Sequence, residues 1–259
     1  MQVLKSPAAS VWFRTFVPHS TARLRLFCFP HAGGGASAFR ELAALAPPEI
    51  EVTAVQYPGR QDRFGEPPLT EMSAMVGDIA GAMETWLDRP VAFFGHSMGA
   101  TVAFETARLL RRRYPAAVTR LFASARKAPQ VDLRDRMVFP DDTTVMEYVR
   151  GLGGIGAALL EDADLRELTL PTLRGDFALL AGYRFVPGAP LTCPLTVING
   201  ADDAAFTERD ALLWARHTAA GTETHTFPGG HFYLESQPRR LMEFLARRLG
   251  IDPVGDTHA

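Results

Sequence analysis

The sequence predicts an α/β fold: a mostly parallel central sheet with helices on both faces. Three observations carry this reading. Strand-like and helix-like segments alternate along most of the chain. One apolar strand runs straight into a helix through a Gly-x-Ser-x-Gly corner. A strand-free stretch then interrupts the alternation before the sheet pattern resumes. The expected organisation is one domain over residues 1–259, with a helical lid inserted at about residues 127–190. The composition suits it: 259 residues, 47% hydrophobic and 22% charged.

Residues 12–17 alternate weakly and are expected to form a first strand. Residues 24–29, Leu-Arg-Leu-Phe-Cys-Phe, make a stronger one, stopped by Pro30. A glycine-rich loop, His31 to Ser37, follows. Residues 39–45 read as a helix closed by Pro47 and Pro48, and residues 51–56 as the next strand. Between 72 and 87, Met72, Met75, Val76, Ile79, Met83 and Trp86 recur at helical spacing, so this is an amphipathic helix. The apolar run 91–94 is a buried strand, 100–110 a helix, and 120–124 a further strand. From 127 to 190 only helical segments are expected, at 143–150, 157–168 and 170–183. The glycines of 151–156 suit a mobile lid. Strand 195–199, helix 208–219, strand 222–227 and helix 234–249 complete the pattern, and the polar tail is expected to fray.

The chemistry centres on Gly95-His96-Ser97-Met98-Gly99. A strand that turns sharply into a helix strains the corner residue, and glycines two before and two after relieve the crowding. Ser97 is then held proud of the sheet as a nucleophile. A serine hydroxyl needs a base to take its proton, and the base needs an orienting acid. In such a sheet the chain order is Ser, then Asp or Glu, then His. His19, His31 and His96 precede Ser97. His217 falls in an expected helix, His225 in an expected strand and His258 in the tail. His231, on a loop at the C-terminal end of a strand, is the candidate base. The acid should follow strand 195–199, where Asp202 and Asp203 compete. The Gly-x-x-Asp turn favours Asp203, and Asp176 reads as structural, pairing with a nearby arginine. Oxyanion donors are expected from the Met98 amide and from the glycine-rich loop, at Ala32 with Gly33 as the alternative.

Other chemistries find little support. The glycine-rich loop lacks the Gly-Lys-Ser/Thr ending of a P-loop and the spacing of a dinucleotide fingerprint. No Cys/His cluster has metal spacing, so no cofactor or metal is expected. The net charge of −2 points away from nucleic acid and anionic membranes. Cys28 and Cys193 read as small buried hydrophobes of a reducing compartment. Without an apolar leader or a membrane-length run, a cytoplasmic protein is expected, and a monomer.

Four elements resemble the type II thioesterases, the stand-alone editing enzymes of polyketide and nonribosomal peptide assembly lines. They are Phe29-Pro30-His31-Ala32-Gly33-Gly34-Gly35, Gln56-Tyr57-Pro58-Gly59-Arg60, Gly95-His96-Ser97-Met98-Gly99-Ala100 and Gly229-Gly230-His231-Phe232-Tyr233-Leu234. Leu173-Arg174-Gly175-Asp176-Phe177 is similar as well, while Ser124-Ala125-Arg126 stands where family members often have Ser-Gly-Arg. The resemblance implies an α/β-hydrolase fold with a helical lid. It implies hydrolysis of acyl thioesters from the phosphopantetheine arm of acyl- or peptidyl-carrier proteins. It carries the nucleophile to Ser97, the acid to Asp203, the base to His231 and the oxyanion donors to Ala32 and Met98. Such carriers are acidic, and Arg60, Arg63 and Arg111 to Arg113 are candidate docking cations, although the triple arginine also suits a solvated helix end. The same residues would serve a carboxylesterase or a macrocyclising release enzyme. A non-catalytic hydrolase-fold binding protein is the reading from another class.

Overall fold

The structure, a computed structural model, describes residues 10–154 and 162–252. Its sheet has seven strands: β1 (Phe13–Thr15), β2 (Leu24–Phe29), β3 (Ile50–Val55), β4 (Val91–His96), β5 (Val118–Ser124), β6 (Leu195–Gly200) and β7 (Thr222–Phe227). They lie in the order β1-β3-β2-β4-β5-β6-β7. Only β1 runs antiparallel, pairing Phe13 with Val55.

Side chains alternate across the sheet, and both faces are buried. Phe27, Phe29 and Phe93 pack on one side, and Leu26, Cys28, Ala92 and Phe94 on the other. This explains why β2 and β4 read as continuous apolar runs. Helices α2 (Met72–Met83) and α3 (Met98–Arg111) cover the first face through Met75, Ile79, Phe104 and Ala107. Helices α1 (Arg40–Ala44) and α8 (Pro238–Arg248) cover the second through Leu42, Leu241 and Leu245. Each fully buried side chain of this size contributes about 1.5–3 kcal/mol of burial energy. Edge-on aromatic contacts, Phe13 to Phe27 at 5.1 Å and Phe27 to Phe93 at 6.0 Å between centroids, fix how the rings interlock. This is the expected α/β-hydrolase architecture.

The chain crosses from β2 to β3 on one side, then returns past β2 to β4 on the other. The crevice at the carboxyl ends of β2 and β4 is therefore a topological switch point, where open α/β sheets bind ligands. The loop after β2 and the corner after β4 both open into it.

Between β5 and β6 the described residues contain no strand. They hold α4 (Asp142–Leu152) and α5 (Ala163–Gly182). Asp141 starts α4 with a capping box, its carboxylate accepting from the Thr144 amide at 2.9 Å. Here the structure departs from the sequence expectation, which placed separate helices at 157–168 and 170–183. One helix of 20 residues runs through Pro171. A proline costs one backbone hydrogen bond and crowds the preceding turn, but burial of Leu173, Phe177 and Leu180 beyond it keeps the helix continuous. The part of the expected helix at 157–161, and two residues of the glycine loop, lie outside the described residues.

Three other helices are shorter than expected, α2 ending at Met83 before a 3-10 turn, Glu84–Trp86. Helix α6 (Glu208–Leu212) tightens into a 3-10 turn, Leu213–His217. That geometry brings residues three apart onto one line, so Trp214 and His217 both point inward. The Trp214 Nε1–H donates to the Arg126 carbonyl at 2.8 Å, and His217 bonds Gln130. The closing helix is divided into α7 (Tyr233–Ser236) and α8, with Pro238 at the first position of α8, where its missing N–H costs nothing.

Candidate active site

Ser97 sits at the corner between β4 and α3 with φ 53° and ψ −118°, a strained backbone for a residue bearing a side chain. Its own amide donates to the Ser124 carbonyl at 2.8 Å, tying the corner to β5. The flanking glycines are demanded by close approach. A Cβ on Gly95 would lie 2.3 Å from the Gly99 carbonyl oxygen, and one on Gly99 would lie 2.0 Å from that of Phe29. Helix α3 is thus pressed against the end of β2, which delivers the glycine-rich loop to the serine.

His231 and Asp203 meet. The His231 Nδ1 lies 2.8 Å from Asp203 Oδ2, and both side chains are buried. The other Asp203 oxygen accepts from the Ala205 amide at 3.0 Å. Asp202 is exposed and uses only its backbone, donating to the Gly229 carbonyl. The acid loop and the histidine loop touch through their backbones at Gly200, where a Cβ would lie 2.1 Å from the Gly230 carbonyl oxygen. The His231 Nε2 is buried and makes no hydrogen bond among the described residues. Ser97 and His231 line one cavity of about 510 Å³.

Two further histidines crowd this site. The His96 Nδ1 shares a 2.9 Å hydrogen bond with Ser124 Oγ, which in turn lies 2.7 Å from the Tyr233 hydroxyl. The His31 ring lies 6.0 Å from that of His96, and the His96 ring 5.2 Å from that of His231. Burial, and then the proximity of His231, pushes both pKa values down, His31 to about 4. Both rings are therefore neutral at pH 7. His217 is held at a distance by the Phe104 and Trp214 rings, and His225 stacks on Phe244.

The amides of Ala32 and Met98 make no hydrogen bond within the described chain. The Gly33 amide is different: it donates to Asp176 Oδ2 at 2.7 Å. Of the two candidates in this loop, only Ala32 keeps a free donor. The rest of the cavity wall is largely apolar: Met137, Tyr148, Val149, Leu173 and Phe177 come from the β5–β6 insertion, and Phe39, Leu42, Phe232 and Leu241 from the α1 region and the closing helices. Arg126 also lines it, with Nε donating to Thr101 Oγ1 at 3.0 Å. The sequence offered no reason to place Arg126 there. Ala125 adopts φ 50°, so the position where the resemblance expects glycine does require a left-handed backbone.

The docking role considered for Arg60 and Arg63 is overturned, because both are buried. Arg60 forms a two-pronged ion pair with Asp176 at 2.7 and 2.8 Å. Arg63 pairs with Glu66 and lies over the Trp12 ring. Arg112 and Arg113 are exposed but lie past the far end of α3. A helix of 14 residues puts them about 21 Å from Ser97. They serve the negative end of the helix dipole. Among the described residues no group of three or more His, Cys, Asp or Glu could hold a metal ion, and no helix is long and apolar enough to cross a membrane.

The Thioesterase domain family matches residues 24–249. The gramicidin S biosynthesis protein GrsT of Aneurinibacillus migulanus is 38% identical over 240 residues, 92% of this chain and 93% of its own. Thioesterase PikA5 of Streptomyces venezuelae is 39% identical over 231 residues, covering 88% and 82%. The solved type II thioesterase BorB, from the borrelidin biosynthetic cluster, superposes with a TM-score of 0.83 at 35% identity, covering 94% of this chain and all of its own. With a strained serine corner, a buried His–Asp pair and a family match across nearly the whole chain, this protein belongs to the thioesterase domain family of serine hydrolases.

Proposed function

We propose that this protein hydrolyses acyl thioesters from the phosphopantetheine arm of acyl- or peptidyl-carrier proteins, as an editing enzyme of a polyketide or nonribosomal peptide assembly line. The observation that carries the reading is the buried His231–Asp203 bond, with His231 and Ser97 lining one largely apolar cavity. His231 takes the Ser97 proton as Oγ attacks the thioester carbonyl. Asp203 fixes the imidazole orientation and stabilises its cation. The oxyanion falls to the Ala32 and Met98 amides, neither of which has a hydrogen-bond partner among the described residues. The proton passes from His231 to the departing thiolate. A thiol pKa near about 8.5 makes pantetheine a good leaving group. Water deprotonated by His231 then attacks the acyl-enzyme, which yields the free acid and restores Ser97.

The buried His231 Nε2 makes no hydrogen bond among the described residues, and nucleophile–base contacts of this kind often tighten only in the Michaelis complex. The insertion helices act as the lid: their apolar side chains wall the cavity and hold the acyl chain. The relatives' names, a gramicidin S biosynthesis protein and a borrelidin-cluster type II thioesterase, support the assembly-line setting. The test is hydrolysis of acyl-carrier proteins bearing short, long and decarboxylated acyl groups, set against simple oxygen esters. Faster turnover of carrier-bound thioesters is expected. Turnover of oxygen esters alone would replace this reading with a carboxylesterase, and intramolecular product release with a macrocyclising enzyme.

A further inference from the structure

The buried pair formed by Asp176 and Arg60 lies outside the reacting groups, yet it touches the loop that carries an oxyanion donor. Asp176 is on α5 within the insertion and is fully buried. Its Oδ2 accepts from the Gly33 amide at 2.7 Å and from Arg60 Nη1 at 2.7 Å, and Oδ1 accepts from Arg60 Nη2 at 2.8 Å. Arg60 Nη1 also donates to the Gly34 carbonyl at 3.1 Å. One ion pair therefore grips an N–H and a C=O of the same two-residue stretch.

The same stretch of α5 is fastened elsewhere. Thr172 Oγ1 donates to the Gly59 carbonyl at 2.6 Å. Leu173 packs so close to Gly33 that a Cβ there would lie 2.6 Å from its Cδ2, and Gly33 itself has φ +77°. Gln56 braces the loop's far end, accepting from the Ala36 amide at 2.7 Å and donating to the Arg60 carbonyl at 2.8 Å.

A buried ion pair is weak evidence for stability, since desolvating two charges offsets most of their attraction. Geometry gives this one a purpose. The peptide plane between Ala32 and Gly33 is fixed at its Gly33 end by the carboxylate, and that constrains the rotation of the preceding residue, whose amide is free. An unpaired carboxylate so near a developing oxyanion would oppose catalysis; Arg60 cancels that charge. We propose that Asp176 is a positioning residue that, with Arg60, couples insertion helix α5 to the oxyanion loop, so that the Ala32 donor is aimed only while α5 is docked. This rests on the thioesterase reading of the Ser97 site.

The test separates transition-state from ground-state effects in Asp176→Asn. Two ligands built on acyl-pantetheine are used. In a trifluoromethyl ketone, Ser97 Oγ adds to the carbonyl carbon, its proton passes to His231 and the carbonyl oxygen becomes the oxyanion; no group leaves. In a thioether the carbonyl is absent. Loss of one oxyanion donor costs about 10²–10³-fold in kcat, so misaiming it should cost about 10–10²-fold. The ketone Ki should rise by the same factor, while KM and the thioether Kd stay within about threefold. Ki does not depend on the fraction of enzyme folded, so a purely structural role would lower kcat and leave Ki unchanged; that result overturns the proposal. If Asp176→Asn does not fold, Arg60→Lys keeps the charge, loses the two-pronged contact and carries the same comparison, with the same result expected and the same result contradicting it. Should wild type cleave only oxygen esters, the thioesterase reading falls, and the coupling is read with the ester and its matching trifluoromethyl ketone.

Discussion

Replacing Gly99 by alanine tests how the corner is assembled. The added Cβ would lie 2.0 Å from the Phe29 carbonyl oxygen and 2.5 Å from that of Pro30. Both are backbone atoms at the end of β2, so no side chain can swing aside. A carbon–oxygen contact needs about 3.3 Å, so α3 and the end of β2 must part by about 1.3 Å. That displacement separates Ser97 and Met98, on one side, from Ala32 on the other. Overpacking of this kind costs about 1–3 kcal/mol of stability. A misplacement of about 1 Å between reacting groups costs on the order of 10²-fold in rate. The assay is kcat on an acyl-pantetheine thioester, with active sites titrated, alongside urea unfolding. Gly77→Ala is the control. It lies within α2, nothing lies within 4 Å of its Cβ, and it should gain about 0.5–1 kcal/mol with kcat unchanged. A Gly99→Ala enzyme with kcat within threefold of wild type would refute the argument.

Three further outcomes follow from the same geometry. Asp203→Asn should lower kcat at neutral pH by about 10⁴-fold, since the amide favours the wrong imidazole tautomer. Asp202→Asn, at an exposed position, should stay within threefold, and the reverse ranking would reassign the acid. His217 is buried, and burial followed by the charges of Arg108 and Arg216 lowers its pKa to about 4. The native state then binds fewer protons than the unfolded chain, so stability falls as pH drops from about 6.5 to 4, by up to about 3 kcal/mol from this group. His217→Phe should flatten the curve of unfolding free energy against pH over that window; parallel curves for the two proteins would contradict it. Ala125→Gly relieves a left-handed alanine and should stabilise by up to about 1 kcal/mol in urea unfolding, whereas a loss of stability would show that φ 50° is not strained there.

What could be read from the sequence was what neighbours in the chain determine. The run from Val91 to Phe94 and the glycines around Ser97 act over nine residues, so strand, corner and helix were all evident. His231 stands out as the candidate base because chain order and a strand-end loop leave few rivals. The Gly-x-x-Asp turn favours Asp203 as the candidate acid; of the two aspartates Asp203 is buried and Asp202 exposed. Long-range pairing was less accessible. Asp176 and Arg60 are 116 residues apart, and the arginine resembled a surface cation because nothing local says that a carboxylate will bury it. Helix limits failed where tertiary packing overrides propensity: Pro171 sits inside a continuous helix, and Trp214 and His217 draw the end of α6 into a tighter turn.

The central claim is that Ser97 carries the acyl group between two half-reactions. Wild-type enzyme mixed with an acyl-phosphopantetheinyl carrier protein, quenched in acid within milliseconds and digested, should give the peptide containing Ser97 with the mass of the acyl group added, and Ser97→Ala should give neither adduct nor turnover. Turnover by Ser97→Ala, or hydrolysis by wild type with the acyl group found on another residue, would contradict the account.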